Sequence, residues 1–222
     1  YSLTIEAGTN LTMDSAVSFI IQGSLFVNGT PENYVTIKNE DEKFGTFGVL
    51  GTATSSCLIN YLTFSGGDES FVNGVYYSGQ MSLHYASYVS IENSHFFNAS
   101  ADDCINIKYC DSVKVSGSYF TNNFADHIDL DFCKGKITNN SFVNKNISNL
   151  NGDGIDASGS TLVVEGNRFQ KLGDKGVSVG ENSKISVLNN TFSNLAKGVA
   201  VKDFSKVYLF ENIFFPDIRE YK

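Results

Sequence analysis

Basic charge is scarce in this sequence. Sixteen Lys and Arg stand against 24 Asp and Glu, a formal net charge of −8 with an isoelectric point of about 4.8. That balance excludes the basic footprint that nucleic acid requires. It leaves two readings, a surface that attracts cations or an ordinary solvated acidic one. No apolar run is long enough to span a bilayer, which excludes a transmembrane helix. The four cysteines contain no Cys-x-x-Cys pair, so the usual zinc frameworks are excluded. Apolar residues never recur at helical spacing over a stretch long enough for a crossover helix. The glycine-bearing strings GDKG and GENSK lead into no helix, which excludes a phosphate loop. The chain starts at Tyr1 without a leader and already in a strand pattern, and reads as a trimmed mature protein or a module of a larger one.

What the sequence does have is repetition. The segments DDCINIKYC, DHIDLDFC, DGIDASGS and DKGVSVGENS follow one another between Asp102 and Ser183. Aligned, they put Asn106, Asp129, Asp156 and Ser178 in one column and Ile105, Ile128, Ile155 and Val177 in the next. Apolar residues alternate (Ile105/Ile107, Ile128/Leu130, Val177/Val179), as they do in a half-buried strand. Each repeat closes on a phenylalanine. From first inward residue to closing ring, the pairs are Val49–Phe64, Met81–Phe96, Ile105–Phe120, Ile128–Phe142, Ile155–Phe169, Val177–Phe192 and Val199–Phe214. Their separations are all 14 or 15 residues. Two positions before the ring, Asn140, Asn167, Asn190 and Asn212 form a further column, suited to bonding its amides along a stack.

A period of this length with two or three short strands specifies a β-solenoid. One coil cannot bury its own apolar face; stacking makes a continuous core and pairs the strands in parallel. The expectation is an all-β, single-domain parallel β-helix. Residues 1–47 supply irregular N-terminal strands or a cap, residues 48–214 about seven clear coils, and residues 215–222 a tail or cap. Cys57 falls on an inward position. Cys110 and Cys133 occupy equivalent places one rung apart, either as a disulfide or as stacked thiols.

Two connections are long, Phe64 to Met81 and Phe142 to Ile155. Both precede the strand that carries the Asn106/Asp129/Asp156 column, so they can wall a groove along it or merely cover one edge. Reading outward positions rung by rung gives Gln80, Ser82 and His84, then Cys104, Asn106 and Lys108, then His127, Asp129 and Asp131, then Gly154, Asp156 and Ser158. A flanking column holds Asp103, Asp126, Asp153, Lys175 and Lys197. Three chemistries fit. Paired carboxylates serve as general acid and base in glycoside cleavage, with candidates Asp103, Asp126, His127, Asp129 and Asp156. Asp129, Asp131 and Asp156 offer hard oxygen ligands to Ca²⁺. Or the face is only solvated, with Lys108 and Lys175 offsetting neighbouring acids. His84 and His95 fall on exposed-type positions and fit no ligand pattern. Tyr85, Tyr109 and Phe132 align in three adjacent coils, as a sugar platform or as an aromatic ladder within a turn.

On these repeats the chain resembles right-handed parallel β-helix proteins, the broad pectin-lyase-like group of pectin-active enzymes and sugar epimerases. DGID, GDKGVSVGENS and KGVAVKDFS are also similar to β-helix modules of large secreted bacterial proteins. The resemblance implies the right hand, a secreted, extracellular or periplasmic location, a polysaccharide partner and further domains in a parent protein. Asp102-Asp103-Cys104-Ile105 resembles the Asp-Asp-Cys motif of polygalacturonases, where the paired Asp act in hydrolysis. Their Asn-Thr-Asp, His-Gly and Arg-x-Lys motifs are absent; the segment one coil earlier is YYSGQMSLHY, and the only arginines are Arg168 and Arg219. Asp126-His127 resembles in part the Asp-Pro-His of alginate epimerases. The expected function is a carbohydrate-contacting or scaffold module with an acidic outer face that can hold Ca²⁺. The alternative is a lyase, epimerase or hydrolase acting on an acidic glycan.

Overall fold

The computed structural model of the protein describes residues 1–145 and 151–216. Residues 146–150, inside the second long connection, and 217–222, within the C-terminal tail, lie outside the described residues. The chain winds through three parallel sheets in strict rotation. Sheet I runs from Ser2–Glu6 through Tyr88–Glu92, Ser112–Ser116, Lys134–Thr138, Thr161–Glu165 and Lys184–Leu188 to Lys206–Phe210. Sheet II runs from Asn10–Met13 through the short Phe-bearing strands to Ile213–Phe214. Sheet III runs from Phe19–Gln22 through Gly79–His84, Asp103–Lys108, Asp126–Asp131, Ile155–Ser158 and Lys175–Gly180 to Lys197–Val201. Sheets I and II each have nine strands and sheet III eight. The solenoid therefore has about nine coils, rather than seven, because residues 1–47 enter the same three sheets: Ser2–Glu6 pairs with Ser24–Asn28, and Phe19–Gln22 with Phe47–Leu50. Their side-chain repeat is too loose to align by eye, but the backbone register is regular.

Every rung lies over its neighbour residue for residue. Ile105, Ile128, Ile155 and Val177 are Cα partners in sheet III, and Phe96, Phe120, Phe142, Phe169 and Phe192 in sheet II. All of these are buried. Removing each such ring from water is worth about 1.5–3 kcal/mol, and stacking adds about 0.5–1.5 kcal/mol. The ring centroids are 4.9 Å apart between Phe142 and Phe169 and between Phe169 and Phe192, with planes within 5°.

The corners carry two polar ladders. Asn140, Asn167 and Asn190 each turn Nδ2 to a backbone oxygen of the preceding rung (Val115, Ile137 and Val164) at 2.8–3.0 Å. Each also donates, from Nδ2 and from its backbone N–H, to the Oδ1 of the next Asn. Amides buried at a bend are thereby satisfied without water, as the Asn column in the sequence predicts. At the other corner Cys133, Ser160 and Ser183 each donate a backbone N–H to the hydroxyl one coil on. All four cysteines are free and buried; Cys110 and Cys133 are stacked thiols directed at the carbonyls of Leu83 and Ile107. Tyr85, Tyr109 and Phe132 occupy left-handed backbone with φ of 54–61°, a conformation unfavourable for bulky side chains. Their rings stack at 5.2 and 5.0 Å on the outside of the turn, which offsets part of that cost. They form the aromatic ladder.

Candidate functional site

The outer face of sheet III gathers most of the acidic candidates. Asn106, Asp129, Asp156 and Ser178 are consecutive Cα partners. Beside them run Lys108, Asp131 and Ser158 on one flank and Asp103 and Asp126 on the other. Adjacent strands lie about 4.8 Å apart, so Asp129 and Asp156 are near neighbours.

One expectation about this face is corrected. Gln80, Cys104, His127 and Gly154 do not point outward with Asn106 and Asp129; they point into the core. Cys104 and His127 are fully buried, Gln80 Nε2 donates to Cys104 Sγ, and a Cβ on Gly154 would lie 2.5 Å from the Phe169 ring. His127 sits among the rings of Phe120 and Phe142, with centroids 6.4 and 6.0 Å away. The strict alternation assumed from sequence fails because the chain bends as it enters sheet III, and two consecutive residues (Cys104 and Ile105, His127 and Ile128) are buried together. His127 Nδ1 accepts from Asn123 Nδ2 at 2.7 Å, and its Nε2 is buried without a partner. Burial pushes its pKa down to about 3. A neutral imidazole held inside the core does not reach a substrate on the acidic face.

His84, which fits no pattern in the sequence, belongs to the site. It is buried and stacked on Tyr77 at 5.1 Å. Asn106 Nδ2 donates to Asp129 Oδ2 at 2.7 Å, so its carbonyl faces His84 and accepts from His84 Nε2, also at 2.7 Å. The chain His84–Asn106–Asp129 fixes the position of that carboxyl group. Tyr77 explains the geometry. It ends a small antiparallel hairpin, Ser70–Val72 with Val75–Tyr77, which the first long connection builds. The hairpin stands beside the acids. The Tyr76 hydroxyl is pushed up to about 12 by burial, by a hydrogen bond to Glu69, and by the charges of Asp102 and Asp103. One side of the hairpin is open: the cross-strand pair Phe71 and Tyr76 is 70% and 51% exposed.

The acids divide by partner. Asp131 pairs with Lys108 at 2.8 Å, and Asp153 with Lys175 at 3.1 Å. Asp103, Asp126, Asp129 and Asp156 have no ion-pair partner among the described residues. Asp103 is buried; burial and the charges of Asp129 and Asp126 hold it well above the usual carboxylate range. Asp126 is pushed up to about 9 by burial and the Asp153 charge, although its Oδ1 accepts the Asp153 N–H at 2.7 Å. Asp129 is pushed up to about 8 by burial, Asp131 and Asp156. Both keep a partly exposed edge. Asp156 Oδ1 and Ser178 Oγ, on neighbouring rungs, are buried atoms without a hydrogen-bond partner.

For a metal, the set brought together differs from the one suggested by the column. Oxygens of Asp126, Asp153 and Asp156 lie within 4.8 Å of one another. Asp156 is shared with the expected set, whereas Asp131 is engaged by Lys108 and Asp129 by Asn106. Three carboxylates and a nearby hydroxyl suit a hard cation such as Ca²⁺, with Lys175 as a competitor for Asp153.

The architecture is that of an all-β parallel solenoid with an acidic face. Residues 73–216 match the family model described as the right handed beta helix region, and the chain belongs to that family. Among solved structures it is similar to the enzymatically active domain of bacteriophage CBA120 tailspike protein 2, with a TM-score of 0.53 and 13% identity. The alignment covers 92% of this chain and 39% of that one, so this chain spans about two-fifths of the tailspike domain. At that identity the likeness is one of fold. No curated protein matches the sequence.

Proposed function

We infer that this β-helix is a secreted, carbohydrate-contacting protein whose acidic face cleaves a glycan by carboxyl acid–base chemistry. One observation carries the reading: Asp126, Asp129 and Asp156 crowd one partly exposed face without an ion-pair partner among the described residues, an arrangement that raises Asp126 and Asp129 to about 9 and about 8 and favours their protonated forms at neutral pH. A carboxyl group protonated at neutral pH is what general-acid attack on a glycosidic oxygen needs. Asp126 supplies the proton. Asp156, partly exposed and with an oxygen within 4.8 Å of one on Asp126, is close enough to attack the anomeric carbon as the leaving oxygen takes the Asp126 proton; water then hydrolyses the glycosyl ester and returns its proton to Asp126. His84 and Asn106 hold Asp129 in place. No arginine stands among the described residues of this face, and its lysines are tied to Asp131, Asp153 and Asp174. A glycan without carboxylates of its own therefore fits here better than a polyuronate. The enzymatic tailspike neighbour shares the fold, and the exposed Phe71–Tyr76 pair of the hairpin offers aromatic surface for a sugar ring.

The test is polymer length. Neutral and acidic polysaccharides are incubated with the protein, and product size is followed by chromatography. Shortening of a neutral glycan is expected, with Asp126→Asn lowering the rate by about 10²–10⁴-fold. No shortening of any polymer, or an Asp126→Asn variant as active as the parent, overturns the reading.

A second reading rests on the free Asp156 and Ser178 oxygens. In it Asp126, Asp153 and Asp156 hold a divalent cation in place of the protons. Calorimetric titration with Ca²⁺ then releases protons and loses its heat in Asp156→Asn. A flat titration removes it.

A further inference from the structure

A broad concavity lies away from the acids, on the outer face of sheet I, a groove of ≈ 850 Å³. It crosses six successive strands, from Tyr88–Glu92 to Lys206–Phe210, roughly 24 Å at the spacing of parallel strands. Its charge is the reverse of the chain's. Lys114, Lys136, Lys184 and Lys206 line it, and Lys134 stands in the column of Lys184 and Lys206. Lys114 is paired with Glu92 at 2.7 Å. Lys134, Lys136, Lys184 and Lys206 are exposed and have no ion pair among the described residues. Four unneutralised ammonium groups thus share one face of a protein whose net charge is −8.

We propose that this groove binds an acidic polysaccharide, a chain bearing one carboxylate per sugar or per few sugars, laid along the solenoid axis. The charge is complementary, and the spacing is that of the rungs, close to the rise of one pyranose in an extended chain. Hydroxyl side chains of Ser112, Thr161 and Ser186 sit between the lysines for the sugar hydroxyls. Tyr88 and Tyr208, 36% and 62% exposed, stand at the two ends where a pyranose face can stack. Single-stranded nucleic acid, the other thin polyanion, requires aromatic platforms rung after rung. Between the two tyrosines the groove offers none. The site is on a different sheet from Asp126, Asp129 and Asp156, and it stands or falls separately from the cleavage proposed there. Its role is to hold the protein on an acidic polymer while the other face works.

Affinity electrophoresis of the whole chain through gels containing alginate, polygalacturonate or neutral dextran tests it. Retardation is expected in the two uronate gels, weakening as salt screens the contacts, and none in dextran. Replacing two exposed lysines, Lys136→Glu with Lys184→Glu, weakens retardation by about tenfold or more. Circular dichroism and any glycan-shortening activity stay unchanged. Lys136→Gln with Lys184→Gln gives an intermediate loss. Unchanged retardation in the Glu variant, equal retardation in dextran, or tighter binding of oligothymidylate than of either uronate overturns the proposal.

Discussion

The two halves of the solenoid fill the same interior by different means. In the C-terminal half the inward column beside the phenylalanines is Gly154, Gly176 and Gly198. The rings have moved into the space of the missing side chains, so Phe142, Phe169, Phe192 and Phe214 stack at 4.8–4.9 Å with planes within 7°. In the N-terminal half the same column is Gln80, Cys104 and His127. There the ring spacing is uneven: Phe64 and Phe96 are 6.0 Å apart and inclined by 40°, Phe96 and Phe120 are 5.4 Å apart, and the spacing closes to 4.9 Å only between Phe120 and Phe142. The same repeat therefore carries a dense aromatic ladder in one half and a mixed polar core in the other. The acidic cluster sits at the junction. There the carboxyl groups' own burial and the charges of their acidic neighbours raise Asp103, Asp126 and Asp129.

The comparison can be broken most directly by removing a ring. Phe169→Ala in the tight ladder is expected to cost about 3–5 kcal/mol, read from the urea midpoint. Phe64→Ala, in the looser region, should cost less, since neighbours already spread can relax into the void. Equal losses would mean that the ladder geometry carries no stability of its own. Adding a methyl group probes the same difference from the other side. Gly176→Ala places Cβ 2.5 Å from two carbons of the Phe192 ring and 2.7 Å from the Gly198 carbonyl oxygen. That ring is clamped between two others, so a loss of about 1–3 kcal/mol is expected. At the equivalent N-terminal position Cys104→Ala removes bulk where a side chain is already accommodated, and should stay below about 1.5 kcal/mol. An effect comparable to that of Gly176→Ala is expected from Asn167→Ala. It strips the Asn140 backbone N–H and side-chain amide of their shared acceptor and leaves the Ile137 carbonyl unpaired, at about 1–3 kcal/mol. Slower amide exchange at Asn140 in the variant than in the parent would contradict the ladder.

The junction also makes a pH dependence. Asp126 and Asp129 have folded pKa values near 9 and 8 against an ordinary 3.8. Between those limits the folded state holds more protons than the unfolded one, so stability falls as pH rises from about 4 toward 9. His127 acts in the opposite sense. Its folded value near 3 lies below the ordinary 6.5, so stability falls as pH drops from 6.5 toward 3. With two carboxyl groups acting against one imidazole, the opposing slopes cancel near the ordinary carboxylate pKa, and a urea-midpoint profile should peak at about pH 4. Asp126→Asn should flatten its alkaline limb and leave the acid limb in place. An unchanged alkaline limb would show that Asp126 is ionised in the fold.

Much of the fold is legible in the residues. Alternating Ile and Val, a ring every coil and an Asn two places before it are local, repeated signals, and stacking in register turns them directly into columns. The acidic column of Asp129 and Asp156 is legible for the same reason. Three things were not. The inward turn of His127 depends on a bend that breaks the two-residue period. The place of His84 depends on Tyr77, brought over it by a hairpin that belongs to no repeat. The lysine groove is hidden because its members come from four separate strands, and in each of them alone a lysine reads as ordinary surface. The side-chain repeat is clear only from residue 48 on, so the first two coils are not legible in it, although their backbone pairing is as regular as the rest.

The register itself has a consequence for length. Successive ladder residues Asn167, Asn190 and Asn212 are 23 and 22 residues apart, and each speaks only to the one before and the one after. A coil gained or lost between them leaves every remaining contact of the same kind, and simply moves one end of the molecule by a single strand spacing, about 4.8 Å. The solenoid is in that sense a ruler with interchangeable gradations. The length of each face is set by counting coils, and it can change without redesign of any one of them.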